Sequence, residues 1–464
     1  MQTQSDAVFT SGSLMRHVSV MSFTSSIGLM AIFAVDLVDM VFIAMLGNPS
    51  LAAAVGYAGS ILFFTSSISI GLSIAAGVLV ARSLGAGNTH EAADQATRVM
   101  MVGVVISVLV VAVLLANLDK PLVLLGANGE TLQLALDYLR ILLPTMPLLM
   151  LAMVAMAVLR AHGDAKRATR ATLLGGVVNA ILDPFLIFTV GLELQGAALA
   201  SAAARITILV VALLPVIRVY NGVSRPRLSL LATDMGKLLG IAVPSILANV
   251  ATPVGTGIVT REVARFGTDA VAGMSVIGRL TPVAFAVVFA LSGAIGPIVG
   301  QNFGAGLYLR VRGALNSALV FVLLYVCCVA ILLYFLRQPI TGLFDAKGEA
   351  LKLVLLFCGP LAIAQVFNGW IFVSNACFNN LGHPVYATWV NWGRHTLGTW
   401  VPVTIGASIG GATGALIGQA IGGVAFALLA LWLVNRLLTN ELELPARHRF
   451  DQEVRMHILQ WRRH

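Results

Sequence analysis

Long apolar stretches alternate with short polar links along the whole chain. Twelve stretches stand out, at about 20–46, 53–81, 99–118, 134–159, 168–190, 196–219, 236–260, 271–301, 313–336, 353–378, 386–408 and 412–437. Most reach the roughly 20 apolar residues needed to cross a bilayer as a helix. They are apolar on all sides, which fits lipid or bundle contact rather than one buried stripe. None shows the period-two alternation of a barrel strand. The expected fold is an all-α integral membrane protein with twelve transmembrane helices.

The second six stretches repeat the first six at a spacing of about 219 residues. Leu72 pairs with Leu291, Ser73 with Ser292, Gly77 with Gly296, Gly85 with Gly304 and Gly87 with Gly306. Gly163/Gly382 and Thr169/Thr388 keep the same register further on. Two pseudo-symmetric six-helix lobes follow, and duplicated helical halves in a membrane point to a transporter with its site between the repeats. The expected division is 1–220 for the first lobe, 221–233 for the link, 234–440 for the second lobe and 441–464 for a basic tail. The link carries Asn221-Gly222 and Arg225-Pro226-Arg227.

Composition agrees. The chain is 58% hydrophobic and 11% charged, with mean hydropathy +0.92, where soluble domains average about 25% charged. Residues 1–16 lack a basic stretch ahead of a short apolar core, so the first span reads as a retained helix. Most of the 29 Lys and Arg fall in the links on the side of the two ends. The positive-inside rule then puts both termini in the cytoplasm and the protein in the inner (plasma) membrane. Orientation also accounts for most of the net charge of +9 without nucleic acid. Cys327, Cys328, Cys358 and Cys377 have no metal-ligand spacing and read as small buried hydrophobes.

Ionisable groups inside a span are costly and mark function. Asp36 and Asp39 lie three apart in the first span, on nearly one helix face. Two such carboxylates do not both stay ionised at low cost, which suits a proton carrier. Asn179 and Asp183 lie four apart in the fifth span, just before Pro184, which removes a backbone donor. Carboxylate, amide oxygen and a freed carbonyl are also the parts of a sodium site. Phe367, Asn368, Trp370, Asn375 and Trp392 are candidate substrate contacts, because aromatic faces attract organic cations. Arg205, Arg279 and the Arg394-His395 pair are further intramembrane polar groups without an assigned role. No catalytic or metal cluster with enzyme spacing is present in the sequence.

Asp39 followed eight residues later by Gly47, the block from Gly71 to Asn88 and its repeat at Ser292–Gly306, Arg160-Ala161-His162-Gly163-Asp164, Asn179–Pro184 and Gly196–Ser201 occur in one order. In these residues the chain resembles the multidrug and toxic-compound extrusion (MATE) family over nearly its whole length. The resemblance implies two six-helix lobes in a V around a cavity. It also implies efflux of organic, often cationic, small molecules in exchange for H+ or Na+. By motif position Asp39, Asn179 and Asp183 correspond to the family's first-lobe cation site, and Ser201 stands where the family often has Thr. Asp36 is an additional acid. The seventh and tenth spans lack the acids that one branch uses, so coupling is expected in the first lobe, as in the DinF-like branch. The expected partners are a small-molecule substrate and the bilayer. No cofactor beyond the coupling ion, no enzymatic activity and a monomeric state are expected. The alternative is a lipid-linked oligosaccharide flippase of the wider superfamily, which needs basic residues converging on the cavity. Arg205, Arg279 and Arg394 are the candidates for that.

Overall fold

The computed structural model describes residues 7–227 and 234–443. Part of the inter-lobe link and most of the basic tail lie outside the described residues. All regular elements among the described residues are helical. The first lobe comprises α1 (Leu14–Met45), α2 (Pro49–Gly85), α3 (Thr89–Ala116), α4 (Gly129–Ala161), α5 (Ala165–Thr189) and α6 (Glu193–Arg218). The second begins with α7 (Met235–Ala264), α8 (Thr268–Ala284 continued by Ala286–Gly304) and α9 (Tyr308–Leu343). It ends with α10 (Gly348–Leu361 continued by Gln365–Asn380), α11 (384–409) and α12 (412–440).

Ten helices are long and apolar enough to cross a membrane as they stand, and α10 makes an eleventh when its two pieces count as one span. The twelfth is hidden in the 57-residue run Pro384–Asn440. Gly410 and Gly411 leave helical geometry there, Gly411 at φ 62 and ψ −145. A left-handed φ is open to glycine without a Cβ penalty. The chain therefore reverses within two residues, and α11 and α12 form an antiparallel hairpin. Gly422, Gly418 and Gly414 lie directly on the backbones of Gly398, Pro402 and Gly406.

Two spans are less regular than the apolar windows predict. Pro282 precedes the break in α8 at Phe285. In α10 Gly359 is non-helical beside Pro360, and the two pieces bend by 61°. Gly359 stands directly before Pro360, whose ring disfavours helical geometry in the residue it follows, while the break at Phe285 falls three residues beyond Pro282. The helices also run past their apolar windows, because polar ends are capped. Asn48 accepts from Ser50 N at 2.9 Å and Asn88 from Glu91 N at 3.0 Å. Cys358 and Cys377 are buried as expected, but Cys327 is only half-buried and Cys328 is exposed on the outer surface of α9.

The two lobes repeat each other's contacts. Within the first, Thr169 on α5 donates to Thr24 O on α1 at 2.8 Å, and within the second, Thr388 on α11 donates to Pro244 O on α7 at the same distance. Between them, α1 packs on α8, α7 on α2 and α2 on α8. The α2/α8 crossing uses the repeated Gly-Ala-Gly. Gly85 rests on the backbone of Gln301 and Gly304 on the backbone of Arg82. The second glycine of each motif, Gly87 at φ 76 and Gly306 at φ 71, ends its helix in the left-handed region. Arg82 reaches across to donate to Asn380 O at 2.8 Å, and Gln301 reaches the other way to Ala161 O at 2.8 Å. These bonds close one face of the bundle, termed the terminal face because α1 starts there. The helix Val8–Thr10 seals it further. Phe9 is 2% exposed, its N–H donates to Gln301 at 2.8 Å, and its ring lies by Gly163.

The turn from α4 to α5, also at this face, is held by Asp164. Its side chain accepts from Arg167 N at 3.0 Å, the Arg167 guanidinium at 2.6 Å and the Tyr220 hydroxyl at 2.8 Å. Burial opposes the charge, but these hydrogen bonds outweigh it and hold the carboxyl below its usual range.

Two expectations follow. Gly85→Val places a branched side chain against backbone that cannot move aside. It should lower stability by about 3 kcal/mol, the upper end for overpacked cores. Gly257→Ala, in a helix and facing open space, should leave the thermal midpoint unchanged or slightly raised. Equal midpoints for the two variants would refute the close crossing. Removing the helix cap with Asp164→Ala should cost about 1 kcal/mol near pH 7. Because the folded carboxyl titrates lower than the unfolded one, that difference is present above the ordinary Asp range. It should shrink as pH falls below about 4, which thermal melts on both proteins would show.

Candidate cation site and inter-lobe cavity

α1 and α5 lie side by side, and Gly28 lets α1 come onto Thr172 of α5. Following both helices away from the terminal face brings Asp39 opposite Asp183. Asp183 is fully buried and Asn179 is 2% exposed. The two carboxyls lie against each other, with the Asn179 amide alongside. Both oxygens of Asp183, one of Asp39 and the amide nitrogen of Asn179 have no hydrogen-bond partner among the described residues. Facing carboxylates repel unless a proton or a cation sits between them. Asp36, one turn back on α1, is exposed and acts on Asp39 through space. Ser201 on α6 is half-buried and makes no hydrogen bond among the described residues. The structure therefore joins Asp39, Asp183 and Asn179, with Asp36 close by, and shows no bond from Ser201 to them.

Proline again shapes the backbone. Pro184 has no N–H to offer the Ala180 carbonyl one turn earlier. The next turn, Phe185–Thr189, winds wider than an α-helix, a local form that often marks functional sites. Tyr138 on α4, 8% exposed, interacts through space with all three acids. It was not among the residues singled out from the sequence, because one tyrosine in an apolar helix carries no spacing signal.

A separate cavity of about 430 Å3 lies between the lobes, toward the terminal face. Its walls include Ile32 but not Asp36 or Asp39 from α1, and Thr172 but not Asn179 or Asp183 from α5. Of the five expected substrate contacts only Asn375 lines it. The other four take packing roles. Phe367 and Trp370 stack edge to face with centroids 5.2 Å apart, and Trp370 donates to Leu319 O. Asn368 accepts from Arg394. Trp392 donates to Leu247 O at 2.9 Å. The sequence shows that these side chains exist, but not which helix face meets the cavity.

The other intramembrane cations do not converge. Arg205 donates to Leu142 O at 3.1 Å and Thr145 Oγ1 at 2.7 Å, at the irregular turn Leu143–Thr145 within α4. Arg279 reaches Met40 Sδ, and His395 packs on Gly255 of α7. Arg160, which sequence reading places in a link, is instead in the last helical turn of α4 and lines the cavity.

The MatE family model matches residues 25–185 and 244–401, one block in each lobe. The chain belongs to the MATE family. Among MATE-like relatives, the FAD transporter of Shewanella oneidensis is 29% identical over 423 residues, covering 90% of this chain and 93% of that protein. The multidrug export protein MepA of Staphylococcus aureus is 21% identical over 375 residues, covering 79% and 82%. In fold, the Vibrio cholerae MATE transporter VcmN superposes with TM-score 0.88 at 24% identity, over 92% of this chain and 97% of that one. Membership in the MATE family makes this chain a multi-pass membrane transporter rather than an enzyme.

Arg205 gives a direct test of its structural part. Arg205→Leu removes the charged donor from the Leu142 carbonyl, which keeps only the Thr145 hydroxyl at 2.7 Å, and should cost about 1 kcal/mol of stability. Arg205→Lys should recover part of that. Unchanged thermal midpoints in both variants would show that the turn does not depend on it.

Proposed function

We propose that this transporter is a secondary-active exporter of small organic molecules, which trades cargo for H+ or Na+ entering at Asp39 and Asp183. The carrying observation is the acid pair, a buried Asp183 facing a half-buried Asp39, three of whose four carboxyl oxygens are buried without a donor among the described residues. An empty pair is unstable as two carboxylates, and binding a proton or cation removes the repulsion. The same event alters how tightly α1 and α5 pack, which gives ion binding a mechanical output. Asn179 orients Asp183, Asp36 adds negative potential at the entrance, and Ser201 completes the shell when an ion is bound. Proton coupling is preferred, because facing carboxyls hold a proton without further ligands. The oxygens of Asn179 and Ser201 keep sodium as the alternative.

The two lobes, 1–220 and 234–440, rock about the α2/α8 crossing, with 221–233 as the connecting loop. The terminal face and the 441–464 tail are cytoplasmic in the inner membrane, and one chain suffices. The names of the relatives set the range of cargo to assay, from FAD to drug-like compounds. Asn375 is the cargo contact carried over from the sequence. The flippase alternative loses its support with the dispersal of Arg205, Arg279 and Arg394.

Asp39→Asn and Asp183→Asn keep shape and remove charge. In proteoliposomes each should reduce gradient-driven export to the passive leak while inserting normally. Wild-type rates in both variants would refute the site. Export that follows a sodium gradient at fixed pH and potential, and ignores a proton gradient without sodium, would replace the proton by sodium.

A further inference from the structure

Among the described residues that line the inter-lobe cavity, the one ionic group is the Arg160 guanidinium at its floor, and none is a carboxylate. Among the described residues the Arg160 guanidinium makes no hydrogen bond and no ion pair. Arg160 is half-buried, so its charge is turned to the cavity rather than to a protein partner. The opposite wall supplies Asn375 and Asn379, whose side chains make no hydrogen bond among the described residues and whose carbonyl oxygens are buried. Asn379 occupies the position in α10 that Arg160 occupies in α4, one repeat of about 219 residues apart. The duplication therefore brings a guanidinium and an amide to one cavity floor from both lobes. Met156, Phe289 and Phe372 give the remaining wall an apolar, partly aromatic surface.

We infer that this cavity binds an organic anion, with a phosphate or carboxylate group on Arg160, Asn375 and Asn379 and an apolar body against Met156, Phe289 and Phe372. This inference rests on the reading of the chain as an exporter and names the class of its cargo. A guanidinium is suited to such groups because it offers paired donors in one plane. A cationic cargo would meet the Arg160 charge at close range in a medium that screens it poorly. The anion site and the acid pair are distinct places. Thr172 lines the cavity, and Asp183 lies eleven residues further along α5, roughly 16 Å at the helical rise. Cargo and coupling ion thus sit at different depths, and each finds a compensating charge in its own place.

Equilibrium binding to the full-length purified protein, with no gradient, tests this. The probes are 4-methylumbelliferyl phosphate, its parent 4-methylumbelliferone, and ethidium as an aromatic cation. The phosphate should bind on the order of tenfold or more tighter than the parent, in line with a hydrogen bond to a charged group. Ethidium should bind more weakly than either. Arg160→Gln should erase the preference while leaving the parent's affinity in place, and Arg160→Lys should retain part of it. Asn379→Asp, which puts a carboxylate across the cavity from the arginine, should weaken phosphate binding and raise ethidium binding. Short-chain phosphatidylglycerol serves as competitor. If it alone occupies the site and the soluble ester does not bind, a lipid headgroup is the ligand and the cargo assignment falls. Ethidium binding tighter than the phosphate, or an unchanged preference in a monodisperse Arg160→Gln protein, would also overturn the inference. Because no gradient is present, these outcomes are independent of the acid pair. Loss of export in Asp183→Asn with no anion preference would sink the cargo class alone, and the reverse would sink the coupling scheme alone.

Discussion

Everything in this bundle is arranged around one backbone-on-backbone contact, where Gly85 lies on Gln301 and Gly304 on Arg82. No side chain separates α2 from α8 there, so the two helices approach as closely as polypeptide allows. The contact is nearly two-fold, and each lobe sends one polar side chain across it to the last carbonyl of a helix in the other. A carbonyl at a helix end has no partner within its own helix. Arg82 and Gln301 supply those partners in trans, so the ends of α10 and α4 are completed only when the lobes meet. Packing and hydrogen bonding thus favour the same closed arrangement at the terminal face. The cavity exists because the lobes diverge above that crossing.

Above this seam, the acid pair and the cavity arginine lie at different depths. The acids lie in the first lobe on α1 and α5, and the unpartnered arginine lies on the cavity floor. Side by side they would neutralise each other, and neither would have charge left for a ligand. The distance along α5 keeps both available. The second lobe gives up its counterpart of the acid site for structure: where α5 carries Asn179 and Asp183, the same register of α11 has Gly398 and Pro402, which pack on α12. Duplication supplied two copies of the scaffold, and the copies diverged in what the fifth and eleventh spans do.

The features that were legible in the sequence are those in which a residue type encodes its own geometry. The Gly-Ala-Gly blocks announce a close crossing and a left-handed helix end, and both are found at Gly85–Gly87 and Gly304–Gly306. Asp39 and Asp183 are rare enough inside apolar spans to draw attention, and helical spacing gives their faces. Tyr138 was not legible, because only the packing of α4 brings it to the acids. That Trp370 and Trp392 do not line the inter-lobe cavity was hidden for the same reason: an aromatic residue does not say whether it faces a cavity or a neighbouring helix's carbonyl. Arg160 was missed because a basic residue near a span's end looks like a solvated link residue. Its counterpart was the available signal, since an arginine and an asparagine share one register at the ends of α4 and α10.

The burial of Phe9 has a kinetic side. Its ring lies against the α4–α5 turn at Gly163, while its backbone is bonded to Gln301, Asn302 and Arg310 of the other lobe. Any motion that parts α4 from α8 at the terminal face has to withdraw that ring and break those bonds, before water can replace either. Withdrawing a phenylalanine from full burial costs about 2 to 3 kcal/mol, a factor of some tens to a hundred in rate if the cost is borne before the barrier. Residues 8–10, packed on the turn that follows Arg160, therefore resist the opening of that face.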